Sequence, residues 1–109
     1  MRSGIKLESE TLGDGREARR GDTVTVSYDL ALNHGDVVQS LDSYSFTIGK
    51  RDVIAALDYG VQGMRVGGRR CFRAGPHLGY RDKGVEGIIP ANAVLVFDVT
   101  LLSIDDEPR

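Results

Sequence analysis

The chain has no tryptophan, one cysteine and two histidines. A single cysteine, Cys71, excludes an internal disulfide and fits a reducing compartment. His34 and His77 lie far apart beside turn residues, and neither has a ligand-type partner three or four positions away, so no metal site is expected. No apolar run approaches the roughly 18 residues that cross a bilayer. The opening MRSGIKLESE lacks the apolar stretch of a secretory signal. An excess of one charge is also missing: 14 Lys and Arg stand against 16 Asp and Glu, for a net charge of −2, which argues against a nucleic-acid surface. The glycines of GMRVGGRR neither follow a strand nor open a helix, so they do not read as a phosphate cradle. The expectation is a cytoplasmic protein with no cofactor and no metal, binding neither nucleic acid nor membrane.

What is present suits one domain spanning residues 1–109. A chain of that length buries roughly two-thirds of its unfolded surface and needs no metal or disulfide staple. Gly4 to Leu12 reads as an edge strand, and LGDGREARRGD, Leu12 to Asp22, as a charged loop. From Thr23 to Leu32 the pattern alternates, with Val24, Val26, Tyr28, Leu30 and Leu32 on one face, as in a half-buried strand. Asn33-His34-Gly35-Asp36 is a hairpin turn signal, Val37 to Gln39 its short return strand, and Tyr44 to Ile48 a further short strand.

The period then changes. Val53, Ile54, Leu57 and Val61 form a helical face of about two turns, with Asp52 as the expected N-cap and Gly60 and Gly63 limiting the other end. Alternation returns over Gly67 to Pro76, where Phe72 and Ala74 share a face opposite Arg69, Cys71 and Arg73. A long loop from Pro76 to Ala93 leads into Val94 to Ile104, read as the longest strand, and Asp105 to Arg109 reads as a frayed tail. A two-turn helix is not stable alone. The pattern therefore implies an α+β fold: a twisted, antiparallel sheet of five or six strands with its concave face wrapped on one short helix.

None of the usual reactive constellations is present. Arg69, Arg70 and Arg73 would lower the Cys71 thiol pKa if it were exposed, but a plain strand cysteine is the simpler reading. The arginines from 65 to 73 read most simply as a solvated strand face. What remains is an apolar, partly aromatic set on the inner side: Tyr28, Val38, Tyr44, Val53, Ile54, Leu57, Tyr80, Ile88, Ile89 and Phe97. Taken one at a time, each is most simply a core residue.

Five segments, in order, carry a resemblance: GDTVTVSYDLAL, FTIGKRDVIAALDYGVQGMRVGGRR, GPHLGY, GVEGIIP and AVLVFDVTLL. Together they resemble the FKBP-type peptidyl-prolyl isomerases over about Gly13 to Leu102. The resemblance implies the same sheet-around-helix fold. It also implies catalysed rotation of X–Pro bonds, with Ile54, Tyr80 and Phe97 as catalytic residues and Tyr28, Val38, Gln39, Tyr44, Val53, Leu57 and Ile89 as substrate-binding ones. In that scheme the Ile54 N–H and the Tyr80 hydroxyl bond the ligand, Leu57 forms the floor, and Val38 and Phe97 form walls. Leu57 stands where the family commonly has tryptophan, Val38 where phenylalanine is frequent, and Gln39 where aspartate is usual. The short Leu41-Asp42-Ser43 segment lacks the arginine that often pairs with that aspartate. The implied partners are proline-containing peptides or unfolded chains and, more weakly, macrolide ligands, bound by a monomer. A catalytically weak module that binds proline-containing segments is the alternative that Gln39 and Leu57 suggest.

Overall fold

A computed structural model describes residues 4–105. Five strands form one sheet: β1 (Ile5–Thr11), β2 (Thr23–Leu32), β3 (Val37–Thr47), β4 (Arg69–Ala74) and β5 (Leu95–Ile104). Their order across the sheet is β1-β4-β5-β2-β3, and every pairing is antiparallel. One helix, α1 (Ala55–Val61), packs against β4 and β5, and a short 3-10 turn covers Pro76–Leu78.

The alternation of β2 places Val24, Val26, Tyr28, Leu30 and Leu32 in the core, as their spacing requires. In β5, Leu95, Phe97, Val99 and Leu101 do the same, but Ile104 is buried where strict alternation would expose it. A bulge explains the change of phase. Thr25 pairs with Ser103 and Val26 with Leu101, so Leu102 is the extra residue, and the chain regains the core face at Ile104.

Several boundaries differ from expectation. The two short strands read at Val37–Gln39 and Tyr44–Ile48 are one strand, β3, which at 11 residues is longer than β5 at 10. The polar residues between them mislead because β3 is an edge strand whose outer positions need no apolar side chains, and a bulge between the Val26 and Tyr28 pairings absorbs the irregularity. Asp52 does not cap α1. Helical geometry begins only after Ile54 (φ −59°, ψ 150°), and the Asp52 Oδ2 accepts the Thr47 N–H at 3.0 Å. Gly60 lies inside the helix rather than after it: a Cβ there would stand 2.1 Å from Phe72 Cζ, so its bare backbone sets how closely α1 meets β4. Gly63, at φ +89°, turns the chain away and donates its N–H to the Ala18 carbonyl. Of the expected frayed tail, Asp105 bonds the Thr23 carbonyl through its N–H, and residues 106–109 lie outside the described residues.

The arginine-rich stretch divides between two faces. Arg69 forms a bidentate pair with Asp98 (2.8 and 2.5 Å), and Arg73 pairs with Glu8 at 3.1 Å, both on the outer face. Arg70 shares the inner face with Phe72 and Ala74 and is buried. Its guanidinium bonds Glu10 (2.8 and 3.0 Å) and the carbonyls of Gly60 and Gln62 (2.9 Å each), fastening the end of α1 to β1. Asp58 is buried too, its carboxylate taking the Gly49 N–H and the Gln62 amide.

Candidate functional site

A cavity of about 430 Å³ opens between the start of α1 and the sheet. β2 contributes Tyr28 and Leu30, β3 contributes Gln39, Leu41 and Tyr44, and β5 contributes Phe97. Asp52, Val53 and Ile54 come from the segment entering α1, Leu57 from its first turn, and Tyr80 from the loop after the 3-10 turn.

The walls are aromatic because successive inward positions on neighbouring strands meet. Tyr28 stands 6.1 Å from Phe97, tilted by 45°, and 6.2 Å from Tyr44, edge-on. Phe97 in turn stacks on Phe72 at 5.3 Å and 18°. Such contacts contribute about 0.5–1.5 kcal/mol each beyond their buried area and hold the rings in place.

The loop carrying Tyr80 is closed by its own backbone. The Arg81 N–H bonds the Pro76 carbonyl, and the Gly84 N–H bonds that of Tyr80. Val85 and Ile89 exchange two bonds of 2.8 Å. A Cβ on Gly84 would fall 2.2 Å from the Ile89 carbonyl oxygen, and its φ is +60°, so glycine is needed at this crossing.

Three of the polar groups in the lining are already engaged. The Tyr28 hydroxyl donates to Gln39 Oε1 at 2.9 Å, and Asp52 holds the Thr47 N–H. Burial pushes the Tyr28 phenol up to about 12, with the neighbouring Tyr44 and Tyr80 hydroxyls adding to the shift. Three phenols therefore converge on one space that favours neutral groups. Among the described residues the Tyr80 hydroxyl has no hydrogen-bond partner, which leaves it free to meet a ligand.

Of the residues singled out in the sequence, Tyr28, Gln39, Tyr44, Val53, Ile54, Leu57, Tyr80 and Phe97 line this cavity. Val38 and Ile89 are not in the lining. Val38 is half-buried and is the extra residue of a bulge, since Leu30 pairs with Gln39 and Ala31 with Val37, so it is Gln39, opposite Leu30, that reaches the cavity. Ile89 is buried in the core, while Ile88 beside it is exposed. Leu30, Leu41 and Asp52 were missed. Leu30 shares the alternation that places Tyr28 on the inner face, Leu41 lies in the short segment between the two expected strands, and Asp52 is the residue expected to cap α1. Cys71 lies outside the cavity. Burial, then the charges of Asp98 and Glu8, push its thiol up despite Arg69 and Arg73, which are themselves committed to those two carboxylates. Among the described residues no cluster of His, Cys, Asp or Glu could hold a metal.

The fold and site thus define a class: one antiparallel sheet, one short helix, and an aromatic cavity between them that holds no nucleophile–base pair. The family model described as FKBP-type peptidyl-prolyl cis-trans isomerase matches residues 14–102, and the chain belongs to that family. FK506-binding protein 1A of Neurospora crassa is 39% identical over 106 residues, covering 93% of this chain and 88% of that protein. FK506-binding protein 4 of Gibberella zeae is 42% identical over 104 residues, again covering 93% of this chain but only 21% of the relative. The chain thus spans about a fifth of the length of several curated relatives it matches. The crystal structure of AtFKBP13 superposes with a TM-score of 0.86 at 30% identity, covering 94% of each chain.

Proposed function

We propose that the chain accelerates cis–trans rotation of X–Pro bonds, with the proline ring seated in the cavity bounded by Tyr28, Tyr44, Ile54, Leu57 and Phe97. The observation that carries this reading is the cavity's composition: aromatic and aliphatic walls, with its one carboxylate, that of Asp52, held by the Thr47 N–H. Uncatalysed rotation crosses roughly 18–20 kcal/mol and takes tens to hundreds of seconds. No bond breaks, so no nucleophile or general base is required. The planar amide owes its rigidity to a charge-separated resonance form that water stabilises. A site that replaces water by apolar walls disfavours that form relative to the twisted amide. A few fixed donors then favour the twisted geometry by holding the carbonyl. The Ile54 N–H, ahead of the first turn of α1, and the unpartnered Tyr80 hydroxyl are suited to this.

Proline-containing peptides and unfolded chains are the substrates in this reading, and the setting is protein folding in the cytoplasm by a monomer. The lone cysteine supports that setting. A macrolide of the kind named for the relatives would enter the same cavity, held less tightly because Leu57 offers less surface than an aromatic floor. Each ring replaced by an aliphatic side chain removes contact worth about 1–2 kcal/mol at roughly 25 cal/mol per Å². A protease-coupled assay on an X–Pro peptide tests the reading: micromolar protein should shorten the slow phase, and a phase unchanged from buffer would refute it. Gln39 and Leu57 favour a second reading, a module that binds proline-containing segments without accelerating them. That reading requires peptide binding at the cavity with no change in the slow phase.

A further inference from the structure

Val53 lines two cavities. On one side is the aromatic cavity, and on the other a second of about 430 Å³, walled by Arg20, Gly49, Arg51, Asp58, Tyr59 and Gln62. The second differs in character, because two arginines, Arg20 and Arg51, both exposed, are in its lining. The Asp58 carboxylate is the one acid in its lining, and it is already occupied by the Gly49 N–H (3.0 Å) and the Gln62 Nε2 (3.2 Å). Among the described residues neither Arg20 nor Arg51 has a carboxylate partner. Arg16, Arg69, Arg70 and Arg73 are paired; Arg19, Arg65 and Arg81 also lack a carboxylate partner among the described residues but lie outside this lining. Arg20 is also seated. Its stem lies across Gly49, where a Cβ would stand 2.7 Å from Arg20 Cγ. The glycine therefore leaves room for the arginine at the mouth of the cavity.

We propose that this second cavity is a subsite for an anionic side chain, carboxylate or phosphate, of the same proline-containing substrate, held by Arg20 and Arg51 while the proline lies on the other side of Val53. The inference rests on the proline-site reading above for the placement of the ring. An extended chain advances about 3.3–3.6 Å per residue, so three residues on either side of the proline reach roughly 10 Å from it, the range over which the anion is sought.

The test is a titration with fluorescent X–Pro peptides in which Glu, phosphoserine or Gln is scanned over the three positions on each side of the proline. The Glu peptide should bind about three- to tenfold more tightly than the Gln peptide at one position, as expected for partly exposed ion pairs. The phosphoserine peptide reports whether the doubly charged group is preferred over the carboxylate. The Glu-to-Gln ratio should fall to about one in R20Q/R51Q, and also near 1 M salt, where the screening length shrinks to about 3 Å. Should circular dichroism show the double variant misfolded, R51Q alone, at an exposed turn residue, should still lower the ratio. A ratio of one at every position in the unmodified protein, or a ratio that survives in the variants, would overturn the proposal. Acceleration of the neutral Gln peptide is measured in parallel and reports on the isomerase reading separately. A Glu preference in binding without acceleration would keep the subsite and remove the catalysis.

Discussion

The Tyr28 hydroxyl donates to Gln39 Oε1 across the mouth of the cavity at 2.9 Å. A neutral amide thus occupies a position where a carboxylate would have brought charge next to three phenols. The bond also fixes the ring that meets Tyr44 edge-on and Phe97 at a tilt.

The raised Tyr28 phenol has a consequence for stability. Its pKa in the folded protein is about 12, against 10 as the ordinary value. Below pH 10 neither state is ionised, and the contribution is fully present. Between pH 10 and 12 the unfolded chain loses the proton while the folded protein keeps it, so stability falls as pH rises through this window. Urea melts from pH 9 to 12 should show the decline, and Tyr28→Phe should flatten it. An identical slope in the variant would assign the decline to other groups.

Gly60→Ala sets two effects against each other. Alanine is favoured in a helix by about 0.8–1.0 kcal/mol over glycine. Its Cβ would, however, meet the Phe72 ring at 2.1 Å, and overpacking of a tight core costs about 1–3 kcal/mol. The clash should win, for a net loss on the order of 1 kcal/mol in chemical denaturation. Because Phe72 stacks on Phe97, the variant should also lower the isomerisation rate, and a stabilised variant would contradict this packing.

The Arg70–Glu10 pair, with Arg70 buried and Glu10 half-buried, should behave asymmetrically. Arg70→Met alone strands the half-buried Glu10 and the carbonyls of Gly60 and Gln62, a loss toward the lower end of the about 3–5 kcal/mol that breaking a buried pair costs. Adding Glu10→Met removes the orphaned charge and should recover much of that loss. A double-mutant cycle by thermal denaturation measures the difference; strict additivity of the two changes would mean that the ion pair is not coupled.

Ile54 permits its two contributions to be separated. Its φ of −59° is one that proline adopts, so Ile54→Pro removes the N–H with little cost to the backbone at that residue. Ile54→Ala removes the side chain and keeps the donor. The proline variant should lose more of kcat/KM than the alanine variant, by roughly tenfold if the lost bond contributes about 1–1.5 kcal/mol. Equal losses would show that the wall matters and the donor does not.

How much of this was legible in the sequence depends on which residues face inward. The alternation of Val24 to Leu32 and of Leu95 to Leu101 marked the two central strands because each has one face in the core. The same rule failed for β3, whose edge position frees Ser40, Asp42 and Ser43 from any apolar requirement. It failed for Ile104, because a bulge shifts the phase in a way that composition does not record. Most of the cavity follows from residue order, since Tyr28, Leu57 and Phe97 sit on regular elements and Ile54 immediately precedes α1. Arg70 could not be read as buried, because its partners, Glu10 and two helix-end carbonyls, come together only in the folded chain. Likewise, nothing local reveals that Arg20 and Arg51, 31 positions apart in the numbering, border one cavity.

The central claim is that an aromatic and aliphatic cavity with no nucleophile–base pair speeds rotation about an X–Pro bond. Exchange NMR on a proline-containing peptide, with and without the protein, tests it most directly, because it reads both directions at equilibrium and needs no helper protease. The expected result is exchange between cis and trans signals on a timescale well below the tens of seconds of the free peptide, weakened in Phe97→Leu. Peptide signals that shift on binding yet still exchange only at the free rate would contradict it.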